Sequence, residues 1–525
     1  MTPKPPLEMA QAKPDSAGIT LGLVSLYLVE NRALRCLAAF LRQRGVRVVE
    51  VYFNDWANNR LDAPDDAELE LLAGLLRDQG VGLVGISLRA SGYRNVAAAV
   101  TRHLQQRLSV PVLWGGLHAT SVPEDCIEVA DYVCVGEGEH TTLELVQALE
   151  RGERPQDIPG LWVRTPDGAQ RGPSRPILQD IDALPLPDYH SRDKFALMGG
   201  KVRRGDPFVS SPLLQLSTTM GCPFATCSFC GNTILRRLLA PDGRYYRQHS
   251  PERVIEEIRY SMEHFRRLRS IRFEDGVFGF DPAWVRAFAP LYRAEIGLPF
   301  SCMADPRVVN EDWIAQLKEA GLTEVFLGIQ HTERVSRTLY DRNVSNERVL
   351  ATARALHTAG IRASFHVVMD DPISTAADKR DLLELLLALP RPYNLFLFSM
   401  TVFPKSPLAD TLLGMGLIGD DDIEGRASKI FSQWRVSLEF PRAPEDTFWA
   451  ALMVIAPKRG IPRRLIRKLA SSEHLKRDPR LLVSVAQTIN TVKMPLMALG
   501  MLRRGEVDLR VVRRWTSRPG RWVTA

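Results

Sequence analysis

From Ile19 to about Leu149, short apolar runs alternate with amphipathic stretches. The runs at Thr20–Leu26, Val46–Tyr52, Gly82–Ser87, Val110–Trp114 and Tyr132–Val135 read as strands. Between them, apolar positions recur with helical period at Arg32–Arg44, Ala67–Gln79, Val96–Arg107 and Thr141–Arg151. Strand and helix in strict alternation predict a doubly wound, Rossmann-like parallel α/β domain over residues 19–150. Residues 151–204 then turn to Pro, Asp and Gly, with Leu184-Pro185-Leu186-Pro187-Asp188 at the centre, and read as an extended linker.

A second alternating series follows. Strands are expected at Leu213–Ser217, Ser270–Glu274, Phe300–Met303, Glu324–Gly328, Arg362–Met369 and Leu395–Met400. Helices are expected at Pro251–Phe265, Trp284–Tyr292, Glu311–Ala320, Asn346–Ala359 and Ala376–Leu389. Six parallel strands with outer helices predict a partial or full β/α barrel over 205–440, with its chemistry at the strand C-termini. Residues 441–525 lose this pattern and read as a basic, mainly helical region, while residues 1–18 form a polar, proline-containing, flexible N-terminus.

Composition narrows the class. With 525 residues, 45% hydrophobic and 25% charged, the chain has material for a sizeable core and is not a disordered protein. Seven cysteines are too few, and odd in number, for a disulfide scaffold, which points to a reducing, cytoplasmic setting. The N-terminal segment lacks the apolar run of a secretory signal. The nearest approach to a spanning helix, Leu481–Leu502, is interrupted by Gln487, Asn490, Lys493 and Pro495. The net charge of +7 is unevenly placed: from Ala456 onward 17 Lys and Arg face 4 Asp and Glu, so the tail carries +13 and the body −6.

The sharpest chemical signal is Gly221-Cys222-Pro223-Phe224-Ala225-Thr226-Cys227-Ser228-Phe229-Cys230-Gly231, directly after the first strand of the second series. Thiolates are soft ligands that select zinc or iron–sulfur clusters. A structural zinc wants four ligands, and no second Cys pair is close in sequence. Three thiols on a four-iron cluster leave one iron open. By ligand counting a cluster is favoured; zinc with a distant fourth ligand and unligated thiols stay open.

This segment resembles the cluster loop of the radical S-adenosylmethionine (SAM) enzymes. The resemblance implies that Cys222, Cys227 and Cys230 hold a [4Fe-4S] cluster whose open iron binds SAM, giving a 5′-deoxyadenosyl radical on reductive cleavage. It also makes Phe229 the aromatic preceding the last ligand. The spacing departs from the family's usual C-x3-C-x2-C in having four residues in the first gap, which blurs the subfamily. Glu274 and Asp275 resemble the family's acidic strand end and Gln330 stands where a glutamate is common, so all three are expected to face the lumen or contact SAM. His366 is a weak candidate for proton donation or substrate contact.

Upstream, Gly115 and Gly116 follow one strand and Gly136-Glu137-Gly138-Glu139 the next. Glycines at such turns let backbone amides approach a phosphate or ring edge, although each pair alone is a common tight turn. Together with the barrel they resemble the cobalamin-binding domain of class B radical SAM enzymes. The resemblance implies that Gly115, Gly116, Gly136, Glu137, Gly138 and Glu139 hold the nucleotide tail and corrin edge, with Ser87 near the tail. The D-x-H-x-x-G motif of other cobalamin enzymes is absent: Tyr27-Leu28-Val29-Glu30-Asn31-Arg32 stands in its place, so cobalt would have no histidine from this loop.

The resulting expectation is a cobalamin-dependent radical SAM enzyme that methylates an unactivated carbon. A non-methylating radical cyclase or rearrangement enzyme is the alternative, and a basic zinc-containing binding protein the alternative of another class. Expected partners are a small-molecule, lipid or peptide substrate and an external electron donor. The basic tail, with Arg463-Arg464-Leu465-Ile466-Arg467-Lys468, suits a solvated helical face or a peripheral contact with a membrane or acidic partner better than nucleic acid.

Overall fold

The computed structural model describes residues 18–53, 64–190, 192–240, 244–400, 402–419, 423, 443–504 and 509. The first sheet contains β1 (Thr20–Leu26), β2 (Val48–Phe53), β3 (Val81–Ser87), β4 (Val112–Gly115), β5 (Tyr132–Cys134), β6 (Leu161–Thr165), β7 (Gly168–Arg171), β8 (Lys194–Met198) and β9 (Lys201–Arg204). Their order is β7-β6-β5-β4-β3-β1-β2-β8-β9, with six adjacent strands, from β5 to β8, running parallel. Two apolar cores flank this sheet, one against each helical layer. The order reverses between β3 and β1, and in such sheets ligands bind beyond the strand C-termini at that point.

The linker expectation for 151–204 is corrected. This segment supplies β6 and β7 as an antiparallel hairpin on one sheet edge, and β8 and β9 on the other. Its Pro and Gly residues excluded helix, and the extended backbone they left pairs with the sheet. Sequence pattern missed the two outermost of these, β7 and β9, because edge strands need little apolar alternation: all four residues of β9 are exposed.

The second sheet is wholly parallel and follows chain order: β10 (Leu213–Leu216), β13 (Ser270–Phe273), β14 (Phe300–Ala304), β15 (Leu322–Gln330), β16 (Arg362–Met369) and β17 (Asn394–Ser399). Between β10 and β13 a two-stranded ribbon pairs β11 (Thr219–Met220) with β12 (Arg247–Gln248). Residues such as Val325, Leu327, Phe365, Val367 and Leu397 point outward into the core beneath the helices. Alternate positions therefore face the lumen. The helices Pro444–Ile455, Arg463–Ala470 and Arg480–Arg504 extend the core over the outside of this half-barrel, with Phe448 and Trp449 fully buried.

Buried charges tie the two halves. Arg35 and Lys194 both reach Asp206, at 2.6 and 3.1 Å, with all three side chains 0% exposed. Arg32, in the loop-to-helix turn after β1, pairs with Glu257 of the helix Pro251–His264 at 2.6 Å.

Candidate cluster and cofactor site

Met220, the last residue of β11, pairs with Arg247, and the chain then turns through Gly221 into the cysteine loop. Gly221 has φ +91°, and a Cβ there would lie 2.9 Å from Tyr245, so only glycine makes this turn. The loop runs through half-buried Cys222, Cys227 and Cys230 and ends as the helix Gly231–Leu239 begins. It is stitched down between the last two cysteines. Ser228 donates to Leu339 O at 2.6 Å and its backbone N–H to Tyr340 O, while Phe229 packs edge-on against Tyr340 at 5.1 Å. Burial pushes the Cys227 thiol up to about 11, against the opposing pull of Arg342 and Arg307, and burial raises Cys230 as well. A bound cation inverts that preference by deprotonating its thiol ligands.

Around this loop stand the C-terminal ends of the barrel strands. Gly276 lies so close that a Cβ there would meet Cys222 Cβ at 3.3 Å. Asp305, after β14, is held by two arginines: Arg307 at 2.9 Å and Arg342 at 2.6 Å. Burial opposes the Asp305 charge, but those two cations win and hold its carboxyl down at about 2. Arg307 also lies over the Phe224 ring at 3.5 Å. Arg342 is buried, and its Nη1 has no hydrogen-bond partner.

The acidic strand end divides in two. Glu274 is half-buried, directly after β13. Asp275 is buried, and its Oδ1 accepts from Thr218 N–H, Thr218 Oγ1 and Thr219 Oγ1, which clamps the end of β13 to that of β10. Burial pushes its carboxyl up to about 6 against those hydrogen bonds, and Oδ2 is left without a partner. Gln330 has φ +68° at the end of β15, and its amide folds back over Gly328. His366 lies lower in the lumen, edge-on to Phe396 at 5.3 Å and Phe398 at 5.2 Å.

The cofactor edge of the first sheet meets the same loop. The helix Leu117–Ser121, just after Gly116, packs on the helix Gly231–Leu239, and a Cβ on Gly231 would lie 3.3 Å from Leu117. Gly136 faces Leu239 in the same way at 3.4 Å. Glu137 Oε1 accepts from Arg247 at 2.5 Å and its Oε2 from Leu178 N–H. Thus the loops after β4 and β5 abut the cysteine loop. Residues 18–146 match the family model of the B12 binding domain, and residues 216–386 that of the radical SAM superfamily.

The chain carries a B12-binding domain followed by a radical SAM domain.

It is 26% identical, over 67% of its length and 74% of the relative's, to an uncharacterized methyltransferase of Pyrococcus horikoshii. It is 24% identical to the cytidylyl-2-hydroxyethylphosphonate methyltransferase of Streptomyces wedmorensis, over 64% and 68% of the two chains. In fold it resembles the radical SAM methyltransferase TsrM of Kitasatospora setae, with TM-score 0.64 and 17% identity over 90% of this chain and all of that one. It also resembles the cobalamin-dependent SAM radical enzyme OxsB, with TM-score 0.64 and 14% identity over 95% and 84%.

The residues present fit these cofactors. Three thiols share one loop of the radical SAM domain, and the buried, unpartnered Arg342 Nη1 and Asp275 Oδ2 offer a donor and an acceptor near it. In the B12-binding domain, Ser87 is half-buried at the end of β3, beside the switch point. Several expected contacts have other duties. Gly116 has φ +102°, and a Cβ would clash with Leu88 O at 2.7 Å, so it serves the packing of two loops. Glu137 accepts hydrogen bonds from Arg247 and Leu178 N–H. Gly115 and Gly138 are sterically ordinary, and burial raises the Glu139 carboxyl in the first turn of its helix.

Sequence reasoning gave no role to Arg247, Arg307, Arg342 or His118. His118 contacts Ser91 Oγ at 2.9 Å and Asp125 at 3.3 Å, linking the loops after β3 and β4. His118, Asp125 and Cys126 lie close enough to share a metal ion. Both ring nitrogens are already engaged, however, and Arg94 grips Asp125 with two hydrogen bonds, which marks a structural cluster. In the tail, Arg463 donates to Leu389 O and Arg467 pairs with Glu384, so these two cations hold their helix to the barrel. Arg513 and Arg514 lie outside the described residues. Among the described residues, no helix is long and apolar enough to cross a membrane.

Proposed function

We propose that this chain is a cobalamin-dependent radical SAM methyltransferase that adds a methyl group to an unactivated carbon. The observation that carries this reading is the seam itself: the loops after β4 and β5 lie against the helix that leaves the cysteine loop. SAM on a cluster held by the cysteine loop would supply a hydrogen-abstracting radical, and a corrinoid held by the first domain a transferable methyl group. The chain's residues do the holding. Cys222, Cys227 and Cys230 ligate the cluster, and the Asp305–Arg307–Arg342 group presents fixed positive charge beside it. Phe229 and Tyr340 close the back of the loop to water.

The names of the relatives support methyl transfer: a hopanoid C-3 methylase of Methylococcus capsulatus is 26% identical over 49% of this chain and 46% of its own length. A ring-closing relative, the anaerobic magnesium-protoporphyrin IX monomethyl ester cyclase of Synechocystis, is 23% identical over 48% of each. Methyl transfer is preferred because the relatives matched over most of their length are methyltransferases. The substrate is a small molecule, lipid or peptide, and an external one-electron donor reduces the cluster. We place the protein in the cytoplasm, with exposed Arg464, Lys468 and Arg477 free to make a peripheral membrane or acidic contact.

The test needs no substrate. Anaerobically reconstituted protein should hold iron and corrinoid, and label from the SAM methyl group should pass to the corrinoid fraction. Protein with cluster and corrinoid that transfers no label would sink methyl transfer, and protein without iron would sink the radical reading altogether.

A further inference from the structure

We propose that the barrel lumen receives a substrate with an apolar body and an anionic group, the body lying on Phe326, Phe396 and Phe398 and the anion on Arg272. This rests on the lumen being the substrate chamber of the methyltransferase proposed above. Neighbours of these residues on the same strands, including Val325, Leu327, Phe365 and Leu397, are buried in the core under the helices. Alternation therefore turns Phe326, His366, Phe396 and Phe398 inward, where all four are only half-buried. They form one continuous surface. Phe326 is 5.9 Å from His366 and 6.2 Å from Phe396, and His366 is 5.2 Å from Phe398.

Below this surface the lumen floor is polar but already satisfied. Glu324 accepts from Arg362, Ser364 and Asn394, and its charge is spent there. Arg272 is different. Its guanidinium stands 4.9 Å from the Phe326 ring, and its hydrogen bond is a long one from Nε to Ser301 Oγ at 3.4 Å. No carboxylate among the described residues pairs with it, whereas Arg307, Arg342 and Arg362 each have one.

A half-buried guanidinium beside aromatic rings, with its terminal N–H groups unspent, favours a carboxylate, sulfonate or phosphate. Rings left uncovered in a chamber gain by burying an apolar body, roughly in proportion to the area covered. The same surface suits a fused ring or a hydrocarbon chain, and the choice of probes separates them.

The experiment uses anaerobic full-length protein and equilibrium binding of four probes: 2-naphthoate, 2-naphthol, decanoate and decanol. At least one anion should bind about ten-fold or more tightly than its neutral partner, the worth of a charge-assisted hydrogen bond. Arg272→Gln should erase that gap while leaving neutral binding intact, and Arg272→Lys should keep part of it. Phe398→Leu and Phe326→Leu should weaken the anion and its neutral partner together. Naphthoate preferred over decanoate assigns a ring, and the reverse a chain. Equal binding of anion and neutral, a gap that survives Arg272→Gln, or no binding of either anion overturns the proposal. Label transfer to corrinoid is followed in the same samples. If transfer fails while the binding gap persists, the methyltransferase reading falls and the anion site stands.

Discussion

Arg247 and Glu137, 110 residues apart, are joined by a 2.5 Å hydrogen bond across the seam between the two domains. Arg247 also donates to Leu178 O, and its backbone pairs with Met220, two residues before Cys222. The position of the cysteine loop is thus registered against the loop after β5. Arg247→Met should destabilise the protein by about 2 kcal/mol, because Glu137 and Leu178 O each lose a largely buried donor. A double-mutant cycle with Glu137→Gln should return a coupling of at least about 1 kcal/mol in denaturant unfolding. Additive effects would show that the pair is incidental.

Gly116→Ala should cost about 3 kcal/mol, since it combines a left-handed backbone with a Cβ 2.7 Å from Leu88 O. The expected signature is a lower melting temperature with reduced corrinoid retention, because the loops after β3 and β4 move apart. Gly138→Ala, which meets nothing closer than 3.8 Å, is the matched control for the melting temperature alone and should leave it nearly unchanged.

Asp305 predicts a pH dependence. Its folded value of about 2 lies below the ordinary 3.8, because Arg307 and Arg342 outweigh the effect of burial. Its stabilisation is therefore complete above about pH 4 and is lost as pH falls from there towards 2. In Asp305→Asn that part of the acid limb should vanish, and stability at pH 7 should fall by about 3 kcal/mol as two cations lose their shared anion. Unfolding followed between pH 2 and 7 checks both.

Asp206→Ala leaves Arg35 and Lys194 as 0% exposed cations without that partner. The expected loss is on the order of 3–5 kcal/mol. Asp206→Asn should recover only a fraction of it, since hydrogen bonding returns without charge. Equal melting temperatures for the wild-type and Ala proteins would refute this account.

The alternating strands and helices were legible because strands buried on both faces read as continuous apolar runs. The cysteine loop was legible because its three thiols are local in sequence. Strands β7 and β9 were not: Gly168–Arg171 and Lys201–Arg204 are pairing segments with almost no apolar content, specified by the neighbour they join. Arg247 and Arg342 were invisible for a related reason, since their carboxylate partners, Glu137 and Asp305, lie 110 and 37 residues away and are brought to them by the fold. Glu137 shows the same from the acidic side: its carboxylate is engaged by Arg247 of β12, a partner its own loop does not reveal.

The return of β8 to the edge of β2 has a consequence for synthesis. Val51 of β2 lies opposite Phe195 of β8, so the β2 edge stays unpaired until the long stretch of chain between them has been synthesised. Until then the β2 edge is bare, and nascent chains offer it as a template for pairing with one another. The growing polypeptide is therefore most exposed to misassembly after its first five strands are made and before the sixth parallel one arrives.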